Sequence, residues 1–429
     1  MNSSDFKYYK RYSGDRYNLT QLTHGTSFLK KQYGFTGHKI EPNNTEVFKL
    51  IQGLMDHSLK IVRFDVLSRY QDHNHSPSTR NMHSAQVLFI IDKKYIFYDL
   101  YEDVFIVAGH CSVSGISTDK IYIFGFSDLI NISRYYGEFS FYLSILDAGH
   151  VLGNLKNYLN SKVFKWTQMF KIMPVQILKD VCFYSCEMFG TFLLSVVRPE
   201  GDLNINSQVA HKRIAEDKSF SELEATEYLK LILPNVNNKM LANRKDKVQS
   251  NVSNFPYLPQ KRNSAHNMVG NFNLTTEDTI SDLELQNQIN NLNAFQKNIT
   301  SLKQRYCFLR KDKIFYDSGE VKNSNVNFKN ILYDDHEFFD LNTFNLICVI
   351  YSNDIDVQTE GVINSLLSCG ELMQVIGLAL SNSGKSFRPM KNYNDNYLKS
   401  ILKLNANAEI NYIGVECSNP VEQISEFYD

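Results

Sequence analysis

The sequence lacks the features that mark nucleic-acid-binding, membrane and secreted proteins. Its 429 residues carry 45 Lys and Arg against 46 Asp and Glu, a formal net charge of −1, so the composition gives no overall attraction to nucleic acid or to an anionic membrane. No apolar run reaches the length of a membrane span. The polar, aromatic start MNSSDFKYYKRY has no apolar core like that of a secretory signal. We therefore expect a cytoplasmic protein with no nucleic-acid partner and no membrane partner.

Paired cysteines are missing as well. The seven cysteines are scattered, none forms a CxxC pair, and their number is odd. Free thiols in a reducing cytoplasm are the simplest interpretation of this pattern. Tryptophan occurs once, as Trp166, although aromatic residues make up 13% of the chain. The Tyr and Phe side chains supply flat surfaces for ring stacking, but aromatic residues more often build cores.

Three common functional motifs are absent or have the wrong spacing. No GxSxG nucleophile elbow supports a Ser-His-Asp hydrolase. The run GLALSNSGKS, from Gly377 to Ser386, has six residues between its first Gly and the Gly-Lys pair where a phosphate loop has four, so we interpret it as a turn. The cluster DHNH, from Asp72 to His75, has no second ligand pair at a zinc-type spacing, so we expect no metal site.

What is present is an order of elements that occurs twice. The length allows two or three domains with cores of their own. The least apolar region, Asn235 to Asn267, is rich in Asn, Lys and Ser and is typical of a linker or a long surface loop. Similar elements follow one another on both sides of it.

In the first half, the basic cluster KRYSGDRYN precedes the predicted helix EPNNTEVFKLIQGLM, where Asn44 or Thr45 is the expected cap. The segments SPSTRNMHSAQVLFII and KYIFYDLYEDVFIV predict strands with a turn. The aromatic run from Tyr135 then leads to DAGH, where we expect Gly149 and His150 to open a helix.

In the second half, KRNSAHNM precedes the predicted helix LTTEDTISDLELQNQI, with Thr275 or Thr276 as the expected cap. NITSLKQRYCFL and DKIFYDSGEV predict strands, and LLSCGELMQVIGLAL predicts a helix. Four motif pairs then align at offsets of 251, 223, 218 and 221 residues: Ser13 with Ser264, Pro77-Ser78 with Thr300-Ser301, Tyr98-Asp99 with Tyr316-Asp317, and Gly149 with Gly370.

Three of these offsets nearly agree, and the first implies a longer insertion in the first half. We therefore predict a divergent tandem duplication, with copies over residues 1–205 and 255–429 and a connecting helix and linker over 206–254. The alternative is a coincidence between two α+β domains of mixed composition.

The two basic clusters suggest phosphate binding. A dianionic phosphate is bound well by guanidinium forks together with a hydroxyl donor. Arg11, Ser13 and Arg16 offer these groups ahead of the first copy, and Arg262 and Ser264 repeat the pattern ahead of the second. The alternative for either cluster alone is a solvated run of charges.

Taken together, these motifs resemble those of the nitroreductase-fold flavoproteins, and among them the SagB-type azoline dehydrogenases of thiazole/oxazole-modified peptides. SRYYGEFSFYLSILDAGHVLGNL resembles the family stretch KYGERGYRFxLLEAGHxxxNL, and SPSTRNMHSAQVLFI resembles RPSaGaxxPxxvYvv. YIFYDLYEDVFIV resembles GlYxYdxxxhxl, RYSGDRYN resembles RRSxRxF with one extra residue, and LLSVVRPEGD resembles vvaVGrPe. The resemblance covers most of residues 1–205 and is weaker over 255–429.

The resemblance implies an α+β fold in which a mixed sheet is flanked by helices, and dimers that bind FMN in their interface. A tandem duplication then gives a pseudo-dimer within one chain. Two flavin sites are implied. Site one combines Arg11, Ser13, Arg16 and Arg198 with Thr300 and Ser301 of the other copy. Site two combines Arg262, Ser264 and His266 with Pro77 and Ser78. Because site one offers more permanent positive charge, we expect it to hold FMN.

The chain departs from the family at the catalytic position. SagB-type enzymes carry an adjacent Lys-Tyr pair assigned to proton removal, but here Tyr135 stands at the Lys position and only Tyr136 matches. Phe139 and Tyr142 replace two arginines of the family stretch. A tyrosine with a pKa of about 10 is a poor base at neutral pH unless a cation or the flavin lowers that pKa.

Three interpretations follow: Tyr136 acts with another base, the chemistry is altered, or the protein no longer catalyses. Lys156 is a substitute base to be tested, and the alternative for Tyr136 is a core tyrosine whose hydroxyl meets a backbone group.

The resemblance implies an FMN-dependent dehydrogenase or oxidase that converts azolines to azoles in a modified precursor peptide or a similar heterocycle. Cyclodehydratase-type proteins of a biosynthetic complex are the implied protein partners. Reduction of nitro compounds, quinones or dehydroamino acids and dehydrogenation of a cyclic dipeptide are variants within the same fold. The alternative of a different class is a non-catalytic scaffold subunit of a peptide-modifying complex.

Overall fold

The computed structural model describes residues 37–65, 72–100, 102–129, 132–133, 136–169, 177–178, 180, 188–210, 247–248, 280–298, 302–332, 344–354, 357, 361–417 and 425–427. Nine of the predicted site residues lie outside these ranges: Arg11, Ser13, Arg16, Tyr135, Arg262, Ser264, His266, Thr300 and Ser301. Most of the predicted linker lies outside them too.

The chain divides into two compact units. The N-terminal unit holds the described residues 37–64, 72–248 and 427, and the C-terminal unit holds Asp65 and the described residues from 280 to 426. Strand β10 of the N-terminal unit spans residues 204–210, on both sides of the boundary that we place at 205.

The N-terminal unit contains eleven described strands and two helices. They follow one another as β1 (Gly37–Glu41), α1 (Glu46–Asp56), β2 (Ile61–Asp65), β3 (Asp72–Asn74), β4 (Ala85–Ile91), β5 (Lys94–Asp99), β6 (Val104–His110), β7 (Lys120–Asp128), α2 (Phe139–Ser161), β8 (Trp166–Gln168), β9 (Met188–Val197), β10 (Asn204–Ala210) and β11 (Lys247–Val248). Nine of the strands form one sheet in the order β10-β1-β6-β5-β4-β7-β9-β8-β11.

Helix α1 begins where the sequence predicts it to begin. Thr45 is its N-cap, and the Thr45 hydroxyl accepts a hydrogen bond from the Phe48 amide, which confirms one of the two expected caps. The helix is amphipathic because Val47, Leu50, Ile51 and Leu54 recur at helical spacing and are buried.

Helix α2 begins at Phe139, ten residues ahead of Gly149, so the expectation that Gly149 and His150 open a helix is wrong. They lie in the middle of a 23-residue helix whose residues from Phe139 to Asn160 are all buried. The aromatic and aliphatic residues therefore occupy every side of one helix, and a helix that is apolar all round is expected in a core.

The C-terminal unit contains α3 (Asp282–Asn298), β12 (Arg305–Leu309), β13 (Lys313–Tyr316), β14 (Val321–Asn323), β15 (Phe344–Asn353), α4 (Val362–Asn382), β16 (Ser386–Met390), α5 (Asp395–Leu402) and β17 (Ala408–Cys417). The short strand β18 (Ser425–Phe427) follows. The unit's sheet has the order β14-β13-β12-β15-β17-β16.

The cap expected at Thr275 or Thr276 is wrong for α3. The helix begins at Asp282, and the Ser281 hydroxyl accepts from the Glu284 amide at 3.2 Å, which is the N-cap contact. The sequence offers several Ser and Thr residues in this region, and the position of the first buried residues decides which of them caps the helix.

The two sheets repeat the same strand order. In the N-terminal unit, β6-β5-β4-β7-β9-β8 corresponds one for one to β14-β13-β12-β15-β17-β16 in the C-terminal unit. A helix precedes each first hairpin, and a long buried helix follows β7 in one unit and β15 in the other. The same order of elements therefore occurs in both units over six strands and two helices.

All of the described strand pairs in these two sheets are antiparallel, whereas the resemblance implies a mixed sheet. The chain path explains this. Helix α2 carries the chain back along the sheet, so β8 points in the same direction as β7, and β9 returns between them in the opposite direction.

Helix α4 is long and apolar enough to cross a membrane, contrary to our expectation that no run reaches that length. However, 89% of its apolar window is buried inside the protein. Burial of this kind is typical of a core helix, and among the described residues no other helix meets the same length and hydropathy criteria.

Candidate functional site

The predicted Pro77-Ser78 motif lies in a loop between β3 and β4 that has an unusual backbone. The motif is followed by a single 3₁₀ turn, Thr79–Asn81. Arg80, Asn81 and His83 have φ values of 51°, 51° and 50°. Residues with a Cβ rarely occupy this left-handed region, and several of them together mark a backbone that tertiary contacts hold in place.

A buried carboxylate on helix α2 fixes this loop. The two oxygens of Asp147 accept hydrogen bonds from the Thr79 amide at 3.1 and 3.0 Å, and Oδ1 accepts another from the Thr79 hydroxyl at 3.1 Å. The Ser84 hydroxyl donates to Oδ2 at 2.9 Å. Burial raises the pKa of the Asp147 carboxyl to about 7, while these hydrogen bonds act in the opposite direction.

Amide side chains fix the first part of the same loop. Asn154 of α2 donates to the Ser76 hydroxyl at 2.9 Å. Asn74 Oδ1 accepts from the Ser76 amide, so Asn74 Nδ2 is left to donate to His83 Nδ1 at 3.1 Å. The Ser78 hydroxyl accepts from the His83 amide at 3.2 Å. Asn74 and Ser78 therefore both contact His83 and fix its position in the loop.

The loop meets the predicted catalytic Tyr136 through Arg80. Arg80 Nε donates to the Tyr136 hydroxyl at 3.0 Å, and the Arg80 guanidinium carbon lies 5.4 Å from the centre of the Tyr136 ring. Tyr136 immediately precedes Gly137, which has a φ of 51° and donates its amide to the carbonyl of Ser133. A glycine suits this turn because it has no Cβ to oppose the left-handed conformation.

The two residues that replace family arginines belong to the core. Phe139 and Tyr142 are 4% and 0% exposed, and their rings stack with centroids 5.6 Å apart. Tyr136 packs edge-on against Phe139 at 6.2 Å. The aromatic run therefore supports one side of Tyr136 with buried rings, while Tyr136 itself is only half-buried.

Comparisons with known proteins identify the fold. No protein-family model matches the chain, and no curated protein matches it. The chain is similar to a crystal structure from Anabaena variabilis described as a nitroreductase, with a TM-score of 0.62 and 10% identity, over 97% of this chain and 99% of that chain. The protein has a nitroreductase-like fold.

Two further solved structures match smaller parts of the chain. A structure from Ralstonia eutropha, also described as a nitroreductase, covers 42% of this chain and 88% of its own at 11% identity and a TM-score of 0.30. The E. coli microcin synthetase McbBCD complex with truncated pro-MccB17 covers 27% of this chain and 52% of its own at 14% identity and a TM-score of 0.24. The fold rests on the first match.

Arg198, predicted to help bind the flavin phosphate, already has acidic partners in this nitroreductase-like unit. Its guanidinium donates to Asp92 and, at 2.7 Å, to Asp202, and it reaches the Gly201 carbonyl at 3.2 Å. Two carboxylates neutralise its charge. The predicted role of Arg198 in binding a flavin phosphate therefore requires that one of these ion pairs breaks.

Lys156, the substitute base, contacts strand β8. It is fully buried on α2, where Nζ donates to Gln168 Oε1 at 2.9 Å and lies 5.3 Å from the centre of the Trp166 ring. These contacts tie α2 to strand β8, which is a structural role.

The second unit of the nitroreductase-like fold has different side chains at the equivalent place. Leu88 pairs with Phe97, and Cys307 pairs with Tyr316, so the hairpin registers place Lys303 where the first unit has Ser84, with Gln304 next to it. Gln304 Oε1 accepts from the Cys369 thiol at 3.4 Å.

The offset of Gly149 from Gly370 places Ser368 where the first unit has Asp147. Ser368 Oγ is buried and has no hydrogen-bond partner among the described residues. Burial raises the pKa of the adjacent Cys369 thiol to about 12, so it is not a reactive thiolate. At this offset a serine therefore stands where the first unit has a carboxylate, and α4 carries a buried carboxylate at Glu371 instead.

The side chains of the DHNH cluster contact the loop that follows them. The described residues contain no group of three or more His, Cys, Asp or Glu side chains that could hold a metal ion. His73 instead contacts Asn81 at 3.1 Å, and Asn74 contacts His83. The cluster therefore contributes to the shape of the loop.

Two functional residues were missed by our interpretation of the sequence. Arg80 stands two positions after Ser78, but nothing in the sequence connects it with Tyr136, 56 residues later. Asp147 had a visible signal, since it is a lone acid in the otherwise apolar stretch FSFYLSILDAGHVLGNL. An acid at such a position is expected to be buried, and a buried carboxylate needs hydrogen-bond donors.

The donor groups around the loop fit a flavin ring. The Ser78 hydroxyl, the Arg80 guanidinium and the Tyr136 hydroxyl are all half-buried, and they offer donors for the carbonyl and nitrogen acceptors of such a ring. Arg80, Asn81 and His83 hold a left-handed backbone in this loop.

Proposed function

We propose that the protein is an FMN-dependent oxidoreductase of the nitroreductase fold. The observation that carries this proposal is the contact between the Pro77-Ser78 loop and Tyr136 through Arg80, because it joins two motifs that were predicted separately as flavin-binding and catalytic. A scaffold protein would gain nothing from a strained loop that holds an arginine against a half-buried tyrosine hydroxyl.

Pro77 and Ser78, with Arg262, Ser264 and His266, would hold the FMN of site two. FMN, when bound, supplies the acceptor for the two electrons that leave the substrate. The residues of this chain orient the substrate and move its proton. In this proposal the Tyr136 oxygen takes the proton that the substrate carbon loses, and Arg80 compensates the negative charge on that oxygen.

The proposed substrate is an azoline ring in a modified precursor peptide or a similar heterocycle, which becomes aromatic on oxidation. This substrate class, and cyclodehydratase-type proteins as partners, rest on the motif resemblance. The half-exposed position of Tyr136 is compatible with a substrate that approaches from the surface.

A non-catalytic scaffold subunit is the second candidate. Two observations favour it: Tyr135 stands where the family has its lysine, and Arg198 is paired with Asp92 and Asp202. Under this alternative the fold is kept for contacts with other proteins of a peptide-modifying complex.

We further propose that the chain arose by tandem duplication and that its two flavin sites differ. The shared order of six strands supports the duplication. Site one remains the better phosphate site by charge, but Tyr136 contacts the loop that belongs to site two. If Tyr136 is catalytic, the working flavin is therefore in site two, and FMN in site one would have another role.

Flavin analysis of the purified full-length chain tests the proposed function. We expect a yellow protein with the absorption bands of oxidised flavin, released as FMN on denaturation, which bleaches on reduction and recovers in air. A colourless protein that added FMN cannot reconstitute would contradict the oxidoreductase proposal and favour the scaffold.

A further inference from the structure

The backbone around Arg80 is fixed by neighbouring contacts, although Arg80 lies on a loop, and this fixes its contact with Tyr136. Arg80 has φ 51° and ψ 29°, which is the left-handed helical region. For a residue with a Cβ, this conformation costs roughly 1 kcal/mol. Glycine would remove this cost, so an arginine at this position is expected to have a compensating contact.

The residues on each side of Arg80 are fixed independently of its side chain. Thr79 is bound through its amide and its hydroxyl to Asp147. On the other side, the Met82 amide donates to the Thr79 carbonyl, and His83 is bound to Ser78 and Asn74. The loop therefore directs the Arg80 side chain, and the hydrogen bond to Tyr136 is not an accident of a mobile surface residue.

The hydrogen bond has a direction with chemical consequences. A guanidinium can only donate, so Arg80 Nε donates and the Tyr136 oxygen accepts. A cation that donates to a phenol oxygen stabilises the ionised form more than the neutral form. Glu138, two residues after Tyr136, carries a negative charge that acts in the opposite sense.

We infer that Arg80 is a positioning residue that holds Tyr136 in place and favours its ionised form, so that Tyr136 can act as a base without an adjacent lysine. The tyrosine hydroxyl gives its proton to solvent, and the phenolate oxygen, still bound to Arg80 Nε, then accepts the proton of the substrate carbon. The inference rests on the proposed function for its catalytic part, but the effect of Arg80 on Tyr136 stands independently of turnover.

The test compares four forms of the full-length protein: the parent, Arg80→Gly, Arg80→Lys and the control Lys93→Gly. Arg80→Gly removes the guanidinium and at the same time relieves the left-handed strain, so this variant is expected to fold. Lys93 has a φ of 57°, is exposed, and lies in the turn between β4 and β5. Lys93→Gly therefore removes one positive charge and one strained residue without changing the Pro77-Ser78 loop.

The first readout is the ionisation of Tyr136, followed by tyrosinate absorbance. Each form is titrated beside a partner that also carries Tyr136→Phe, and the difference between the two curves isolates Tyr136 from the other tyrosines. We expect its midpoint to lie below that of an ordinary tyrosine in the parent and in Lys93→Gly. The midpoint should rise in Arg80→Gly and be intermediate in Arg80→Lys. A parent midpoint equal to that in Arg80→Gly overturns the inference.

The second readout is turnover against pH in flavin-loaded protein. We expect Arg80→Gly to lose about tenfold or more in kcat at neutral pH and to recover part of this loss as pH rises, because base catalysis depends on the ionised fraction. A loss that is the same at every pH would assign Arg80 a merely structural role and overturn the inference. If the protein has no turnover but the midpoints shift as expected, the proposed function fails while the effect of Arg80 stands.

Discussion

At the scale of single residues, Asp147 is the group on which the loop depends. It accepts every hydrogen bond that ties Thr79 and Ser84 to helix α2. Its carboxyl is buried with no cation among the partners described above, which is why its pKa is raised to about 7. The loop is thus held by a group that changes charge near neutral pH.

The raised pKa gives a testable pH dependence of stability. Between the ordinary pKa of 3.8 and about 7, the folded protein keeps a proton on Asp147 that the unfolded chain has lost, so unfolding releases a proton. Stability should therefore fall as pH rises through this window, by up to about 1.4 kcal/mol per pH unit from this residue.

Asp147→Asn is the matched variant, since its amide oxygen still accepts from Thr79. Urea unfolding between pH 4.5 and pH 7 (about the limits of the window) should show a flatter slope in Asp147→Asn than in the parent. Glu416, whose pKa burial also raises to about 7, contributes equally to both proteins and cancels in the comparison. Identical slopes would show that Asp147 does not titrate in this range.

Tyr136→Phe separates catalysis from packing at a single hydroxyl. Because the ring is kept and Tyr136 is half-buried, melting temperature and bound flavin should stay close to those of the parent. Turnover should fall by about a hundredfold or more if the hydroxyl is the base. Normal turnover in a variant with normal FMN content would remove Tyr136 from the mechanism, and Tyr135 and Lys156 would be tested next.

At the scale of elements, the N-cap of α1 follows directly from local sequence. Thr45 accepts from the Phe48 amide at 3.3 Å and donates to Asn43 Oδ1 at 2.6 Å. We expect Thr45→Ala to lower the free energy of unfolding by about 1 kcal/mol, and Thr45→Ser to retain most of it because the hydroxyl remains. Chemical denaturation of the three proteins measures both differences. Equal losses of unfolding free energy in Thr45→Ala and Thr45→Ser would mean that the Thr45 methyl group, and not its hydroxyl cap, stabilises the protein.

Gly125 of strand β7 packs closely against Phe192 of β9. A Cβ added to Gly125 would lie 2.3 Å from the Phe192 ring, closer than atoms can pack. Gly125→Ala should therefore destabilise the fold by about 1–3 kcal/mol, the usual cost of overpacking. Combining it with Phe192→Leu should recover part of the loss. A double variant that is destabilised by the sum of both single effects would argue against this contact.

Element starts were predictable where one polar residue precedes an amphipathic pattern, as at Thr45. They were not predictable where the pattern is apolar on all sides. The start of α2 was misplaced because the residues from Phe139 onward carry no polar face to set a helical period. The cap of α3 was misplaced because several hydroxyl residues precede it and only packing selects Ser281.

At the scale of the whole molecule, the repeated strand order predicts two sites with unequal side chains. The first unit has Asp147 beneath its loop, and the second has Ser368 at the equivalent position. If the two units arose by duplication, as proposed, they have diverged at this position. We therefore expect the two flavin sites to differ in affinity.

Flavin stoichiometry tests this expectation. If site one binds FMN, Arg11→Ala and Arg16→Ala should each weaken binding by about 1.5–3 kcal/mol, the scale of a hydrogen bond to a charged group, while Arg262→Ala has little effect. The reverse ranking would assign FMN to the proposed site two, which includes Pro77 and Ser78. Isothermal titration of flavin-stripped protein with FMN gives both the affinity and the number of sites.

The sequence by itself predicted the cap of α1, the hairpin and long helix in each half, and the nitroreductase-like fold, because these depend on local patterns and on motifs kept in order. Only the tertiary structure decided that Arg80 meets Tyr136, that Asp147 anchors the loop, and that Arg198 is held by two carboxylates. These contacts join residues that lie far apart in the chain. Their geometry depends on which helix the loop packs against, and no local pattern records that choice.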